Sequence, residues 1–423
     1  MLTPLKPIPP RTSRLINRTP FFYGWIIVIA GTFGLIMTGP GQTYAVSIFI
    51  EHFIHDLGLS RTLVSGLYGV GTLAGSFALP LIGREIDRRG SRLTAVAIAL
   101  LFGLACVFMG FIQNGLMLLA GFVAIRMLGQ GGLGLVSQNV INQWWVARRG
   151  LIMGVSGLGV SLLGIGVLPG LINWLVTLYG WRLSYMLLGG VLLLAMAPLA
   201  WLFFRDRPEL YGLHPDGRQM AIDEAELVVA EENWTLAEAR RTAMFWVMSG
   251  SLALIAMLIT GLYFHMVSIF ADNGLAANAA AAVYAPIALA TAAFTLAGGL
   301  LLDRVPARVM LSAALFLLAF SLWFAQHLSG VAAATLYGAA LGGTSGLFHV
   351  VGMVVWARYY GREHLGSITG VTATVVIIGS ALGPLPLGAA RDWLGSYNQA
   401  LTLLAVFPLL LGGAALFTPK PQK

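Results

Sequence analysis

Long apolar stretches separated by short polar ones dominate this chain, and the apolar stretches outrun what the core of a soluble domain uses. A helix crosses a bilayer with about 20 predominantly apolar residues. Twelve stretches meet that requirement: 23–50, 62–82, 92–112, 116–142, 151–176, 184–204, 244–270, 280–302, 308–327, 330–355, 366–389 and 396–417. None alternates every second residue, and all are longer than the roughly ten residues of a membrane strand. The pattern therefore predicts an all-α membrane protein with twelve transmembrane helices. The first stretch is too long for a cleaved leader and follows a basic, proline-rich tail, so it is read as a span.

The longest polar break, 205–243, runs from RDRPELYGLHPDG to AIDEAELVVAEENW and divides the twelve stretches six and six. It reads as a solvated linker with a short amphipathic helix. The expected organisation is a tail 1–22, a six-helix bundle 23–204, the linker 205–243, a second bundle 244–417 and a tail 418–423. The halves echo each other. YAVSIF at 44–49 answers HMVSIF at 265–270, and Asp87 answers Asp303. Gly131-Gly132, Trp145 and Gly150 answer Gly342-Gly343, Trp356 and Gly361, and Pro169 answers Pro384. Parallel six-helix repeats imply two pseudo-symmetric bundles about an axis along the membrane normal, with a site between them near the midplane.

Composition agrees with a lipid environment: 58% of residues are hydrophobic and mean hydropathy is +0.82. Only 10% are charged, against about 25% in soluble domains. The net charge of +8 is a topology signal, because all basic residues but Arg61, Arg126, Arg182 and Arg391 lie in the tails, the linker or the breaks on the linker's side. Under the positive-inside rule this places both termini in the cytoplasm of a cell-membrane protein, and gives no reason to expect nucleic acid. Cys106 is the only cysteine, which leaves no disulfide framework and no thiol metal site. His52-x-x-His55-Asp56 reads as solvated loop residues, and Gly69-x-Gly71-x-x-Ala74 lacks the βαβ unit a dinucleotide site needs. No cofactor, metal or enzymatic chemistry is indicated.

Several stretches together resemble a known family. GREIDRRGSR at 83–92 resembles the loop signature of the major facilitator superfamily, G-x-x-x-D-[RK]-x-G-x-[RK]. Arg126 with Gln130-Gly131 resembles its fourth-helix arginine motif, and GVSGLGVSLLGIGVLPG its glycine-rich fifth helix. More narrowly, WWVARRGLIMGVSGLGVSLLG followed by LYGWRLSYMLLGG is similar to the monocarboxylate-porter and oxalate–formate exchanger branches. The resemblance implies secondary transport by alternating access, with helices one, four, seven and ten lining the cavity. The chain departs from the monocarboxylate porters at two places. Gln42 and Tyr44 stand where those porters carry a first-helix lysine, and the eighth segment lacks their acid and arginine.

Arg126 is the central candidate. It lies about 16 Å into its segment, near the middle of a hydrocarbon layer about 30 Å thick, while every acidic residue lies at a helix end or in a loop. Such a charge costs about 2.5–3.5 kcal/mol on insertion scales unless a partner meets it. Its planar fork suits a carboxylate, so an anionic substrate is one expected partner. Backbone carbonyls around GPGQT at 39–43 are the other. The repeat matches Arg126 with Tyr337, Gln138 with His349 and Tyr44 with His265, and these residues with Gln42 form the candidate substrate set. His265 is the candidate proton-coupling group, with an interhelical hydrogen bond as its alternative role. Gly83, Asp87, Arg88, Gly90 and Arg92 read as a conformational latch built from charge pairs, with Asp303-Arg304 as a degraded second copy. The expected cargo is a small organic anion such as a monocarboxylate, carried by proton symport or exchange. Efflux of amphiphilic or cationic compounds is the alternative within transport, and a non-transporting receptor the alternative outside it.

Overall fold

The computed structural model describes residues 12–59, 61–217, 232–275, 277–394 and 396–422, and among them the chain forms helices and no strand. Lys6 and Arg11, the linker stretch 218–231 with Arg218 and the acidic helix expected there, and Lys423 lie outside the described residues. Eleven helices are long and apolar enough to cross a bilayer. One of them, Arg149–Phe203, has 55 residues, about 80 Å of helix for a layer about 30 Å thick. It turns back at Gly180, whose φ of 72° and ψ of 163° leave the helix in a region that favours glycine. Arg149–Phe203 therefore crosses twice, which brings the spans among the described residues to twelve.

The first, fourth and fifth spans of the N-terminal bundle depart from regular helix beside the central cavity. The first is split into Gly24–Ile36 and Thr43–Leu57 around a tight turn at Gly39–Gly41. Pro40 has no N–H to donate and cannot continue the ladder. The fourth span, Gly115–Trp144, widens into π-helical turns over Arg126–Leu133, and the fifth does the same over Val160–Val167. The repeat-related tenth span, Val331–Tyr360, and eleventh span, Leu365–Leu382, are regular α-helix.

The bundles meet through glycines rather than bulky side chains. The second span, ending in Leu79–Arg89, packs on the eleventh, and the fifth packs on the eighth, Tyr284–Leu302. A Cβ on Gly83 would sit 2.0 Å from the Gly366 carbonyl oxygen, and one on Gly299 would sit 2.6 Å from that of Gly150. Each contact pairs residues from different bundles, and the two are related by the same offset of 216 residues. In lipid, where apolar side chains gain little by meeting one another, small residues let backbones approach and pack. This interface closes the molecule on the side that carries the linker.

Gly299→Leu is expected to pry the bundles apart on that side. Spin labels on Arg84→Cys and Arg304→Cys, both exposed positions, in a Cys106→Ser background should report a longer distance by pulsed electron resonance. An unchanged distribution would contradict the contact.

Candidate functional site: a central cavity closed on one side

Between the bundles lies a cavity of about 330 Å³. Its polar lining includes Gln42 and Tyr44 from the first span, Gln130 and Gln138 from the fourth, Ser161 from the fifth and His349 from the tenth. Among the described residues its wall holds no carboxylate, lysine or arginine. Gln130 and Ser161 both ride on the widened π turns, a feature that recurs at functional sites. The His349 ring is exposed despite its place in mid-helix, and it opens onto this cavity.

Arg126 stands at the start of the fourth span's π turn and is only 5% exposed. Its Nη1 donates to the Gly41 carbonyl oxygen at 2.8 Å and more weakly to Thr43 Oγ1 at 3.4 Å, while Nε donates to Thr72 Oγ1 at 2.9 Å. The guanidinium carbon lies 4.9 Å from the centre of the Tyr68 ring, within range of a cation–π attraction. The break in the first span explains the Gly41 contact. Ala45 and Val46 donate to Gln42, so the Gly41 carbonyl is left for the arginine. Glycine is required there, since a Cβ on Gly41 would lie 2.3 Å from the Ile125 carbonyl oxygen. Among the described residues no carboxylate meets the guanidinium and no hydrogen-bond acceptor meets Nη2. Arg126 does not line the cavity, but Gln130, about one turn further on, does.

Of the seven residues the sequence nominated for substrate, Gln42, Tyr44, Gln138 and His349 line the cavity, whereas Arg126, Tyr337 and His265 do not. Tyr337 is fully buried near Phe270, and among the described residues its hydroxyl has no partner. His265 ties the seventh span to its neighbours, with Nδ1 3.1 Å from the Tyr397 hydroxyl and Nε2 3.0 Å from the Pro384 carbonyl oxygen. Tyr44 and His265 part company because the two spans break differently. Tyr44 opens the second piece of the first span, while His265 is itself the joint between Ala243–Phe264 and Met266–Asp272. Gln130 and Ser161 were missed as lining residues, although polar side chains on otherwise apolar helices are a readable signal.

The motif read as a latch makes contacts across the bundles, and they come in duplicate. Asp87 accepts the N–H groups of Gly366 at 2.8 Å and Ser367 at 2.7 Å, in the first turn of the eleventh span. Asp303 accepts those of Gly150 at 2.8 Å and Leu151 at 3.0 Å, in the first turn of the fifth. A helix start has unpaired N–H groups and a partial positive charge, so each aspartate caps a helix of the opposite bundle. Donors and acceptors repeat at an offset of 216 residues, which makes Gly366, not Gly361, the counterpart of Gly150. Three sequence expectations are corrected here. Asp87 does not pair with Arg88 or Arg92. The Asp303 copy is intact rather than degraded. Gly90 and Arg92 instead meet the end of the sixth span and the start of the linker: the Arg92 N–H donates to Asp206 at 3.1 Å, Arg92 Nε donates to the Trp201 carbonyl at 2.7 Å, and a Cβ on Gly90 would collide with Asp206. Arg88 and Arg304 are exposed.

The described ends of the linker fasten the same two helix starts. Asp216 accepts from the Val146, Ala147 and Arg148 N–H groups, just before the fifth span, at 2.8–3.1 Å. Asn233 Oδ1 accepts from the Arg362 and Glu363 N–H groups, just before the eleventh, at 3.0 and 3.2 Å.

Two helical bundles closed over a central cavity on one side define a membrane transporter. The chain belongs to the Major Facilitator Superfamily, whose model matches residues 31–384, a family of transporters rather than enzymes. A multidrug resistance protein B homolog of Mycobacterium tuberculosis is 30% identical over 164 residues, 38% of this chain and 30% of that protein. Human monocarboxylate transporter 14 is 27% identical over 173 residues, 40% of this chain and 33% of that protein. The chain thus spans about a third of the length of the curated relatives it matches. The crystal structure of the human organic anion transporter MFSD10 (TETRAN) superposes with a TM-score of 0.66 at 15% identity, covering 94% of this chain and 100% of that one, a likeness of fold.

Asp303→Asn and Asp87→Asn are each expected to weaken linker-side closure by about 2 kcal/mol, the worth of hydrogen bonds to a charged group. That is roughly thirtyfold in the closed-to-open ratio, readable as a shifted population between the same spin-label pair. A silent Asp303→Asn beside an effective Asp87→Asn would show that only one latch works.

Proposed function

We propose that this protein is a secondary transporter of a small organic anion such as a monocarboxylate, working by alternating access with proton symport or anion exchange. It acts in the cell membrane with both termini and the linker cytoplasmic, a reading supported by the distribution of arginine and lysine. The observation that carries the substrate class is Arg126: a protonated guanidinium buried just behind the wall of a cavity whose described lining holds no acid. Two unit charges at an effective dielectric of about 20 interact by about 4 kcal/mol at 4 Å and about half that at 8 Å. An anion in the cavity is therefore favoured by the arginine without touching it, while a cation is repelled. The amide and hydroxyl groups of Gln42, Gln130, Gln138 and Tyr44 supply hydrogen-bond donors for a carboxylate. Similarity to a human monocarboxylate transporter accords with this reading.

The mycobacterial relative's name supports a second reading, efflux of amphiphilic or cationic compounds, against which the acid-free lining weighs. A receptor that transports nothing would leave the paired latches without a purpose.

Proteoliposomes should take up radiolabelled lactate, benzoate and benzenesulfonate but not tetraphenylphosphonium, and Arg126→Gln should lower anion uptake at least about tenfold. Uptake of the cation alone would replace this proposal with the efflux reading. Full anion affinity in Arg126→Gln would remove the arginine from substrate selection.

A further inference from the structure

We infer that His349 is the group through which protons enter the transport cycle, and that it holds the anion together with Gln138. The inference rests on the anion reading above and adds the coupling step. His349 opens onto the cavity, and among the described residues no hydrogen bond or ion pair occupies its ring, which leans on Phe348 with 5.4 Å between ring centres. Gln138 faces it from the opposite bundle. The Gln138 amide nitrogen lies 3.5 Å from the Gly352 carbonyl oxygen, and Gly352 is three residues from His349 on the same helical face. The two side chains occupy repeat-related positions and border one space.

Among the described residues His349 is the one imidazole on the cavity wall, and imidazole is the side-chain type suited to taking and releasing a proton. The first span presents Tyr44 and Gln42, the second Leu79, the fourth Gln130 and Gln138, the fifth Ser161, the eighth Thr295 and the eleventh Ala373 and Ile377. Arg126 stands one turn behind Gln130 and keeps its proton throughout. The seventh and ninth spans, which also pack on the tenth, carry no Asp, Glu, Lys or Arg within Ala243–Phe264 and only Arg308 within Ala307–Phe324, at its first turn. His265 is held elsewhere by Tyr397 and Pro384.

Neutral imidazole takes one proton from water on the side to which the cavity is open, and the imidazolium then offers two N–H donors in place of one. A carboxylate and that proton stabilise each other, and linkage makes the effect reciprocal: the proton raises anion affinity by the factor by which the anion raises proton affinity. After the bundles close on one side and open on the other, the anion leaves and the proton returns to water there. One anion and one proton cross together without net charge.

The test uses benzenesulfonate, which stays anionic across the pH range, so that any pH dependence belongs to the protein. Wild-type uptake into proteoliposomes should rise about tenfold or more from pH 8 to pH 5.5. His349→Gln should flatten that profile whatever its absolute rate, and His265→Gln should retain it. A second measurement covers a variant too damaged to transport. In ¹⁵N-histidine-labelled wild type, the ring resonance lost in His349→Gln should titrate between pH 5 and 8 and shift when benzenesulfonate is added. A wild-type profile in His349→Gln, or a ring that stays neutral down to pH 5, overturns the inference. If the wild type carries none of the probe anions, the transport reading fails separately, and the ring titration still decides whether the cavity holds a proton site.

Discussion

Hydrocarbon gives a buried guanidinium no water, so the N–H groups of Arg126 must be met by protein or by cargo. Much of the N-terminal bundle is arranged around that demand. The Gly39-Pro40-Gly41 turn breaks the first span and frees the Gly41 carbonyl, Thr72 supplies a hydroxyl and Tyr68 a ring face. These partners are neutral, so they lower the cost of burying the charge without cancelling it. In the function proposed above, the residual field reaches the neighbouring cavity and favours negative charge there.

The same helices explain how such a cavity can be shut on one side at a time. Closure on the linker side uses two aspartates that cap helix starts in the opposite bundle, backed by glycine contacts with no side chain between them. Both elements are short-ranged. A few tenths of an ångström of separation weakens all of them together, which favours discrete closed and open arrangements over a continuum. The fifth and eleventh spans each line the cavity at one level and receive an aspartate from the opposite bundle at another. Asp216 and Asn233 hold the loops ahead of these two helices and so keep their N–H groups aimed at the latch carboxylates.

Hydropathy made the twelve spans legible because a bilayer demands length and apolarity above all else. It could not show the break within 23–50 as a source of a carbonyl for Arg126, since a proline-glycine turn in a membrane helix has meaning only beside its neighbour. The repeat set Gln138 against His349, and both line the one cavity, because the fourth and tenth spans both border it. It misled at His265, where matching letters sit on either side of differently placed breaks. It also set Gly150 against Gly361, because the tenth helix runs on to Tyr360 while the fourth ends at Trp144, and the offset changes from 211 to 216 residues across that loop. GREIDRRGSR stood out as a motif, yet the partner of its Asp87 is a pair of backbone N–H groups, which no side-chain pattern can announce.

If the charge of Arg126 selects the cargo, three ligands of nearly one shape isolate charge as the variable. Isothermal titration calorimetry of the purified protein with benzoate, benzamide and benzylammonium separates it most directly. Benzoate should bind, the neutral amide and the cation should bind weakly or not at all, and Arg126→Gln should lose the preference for benzoate. Benzamide or benzylammonium binding as tightly as benzoate to the wild type would contradict selection by this charge.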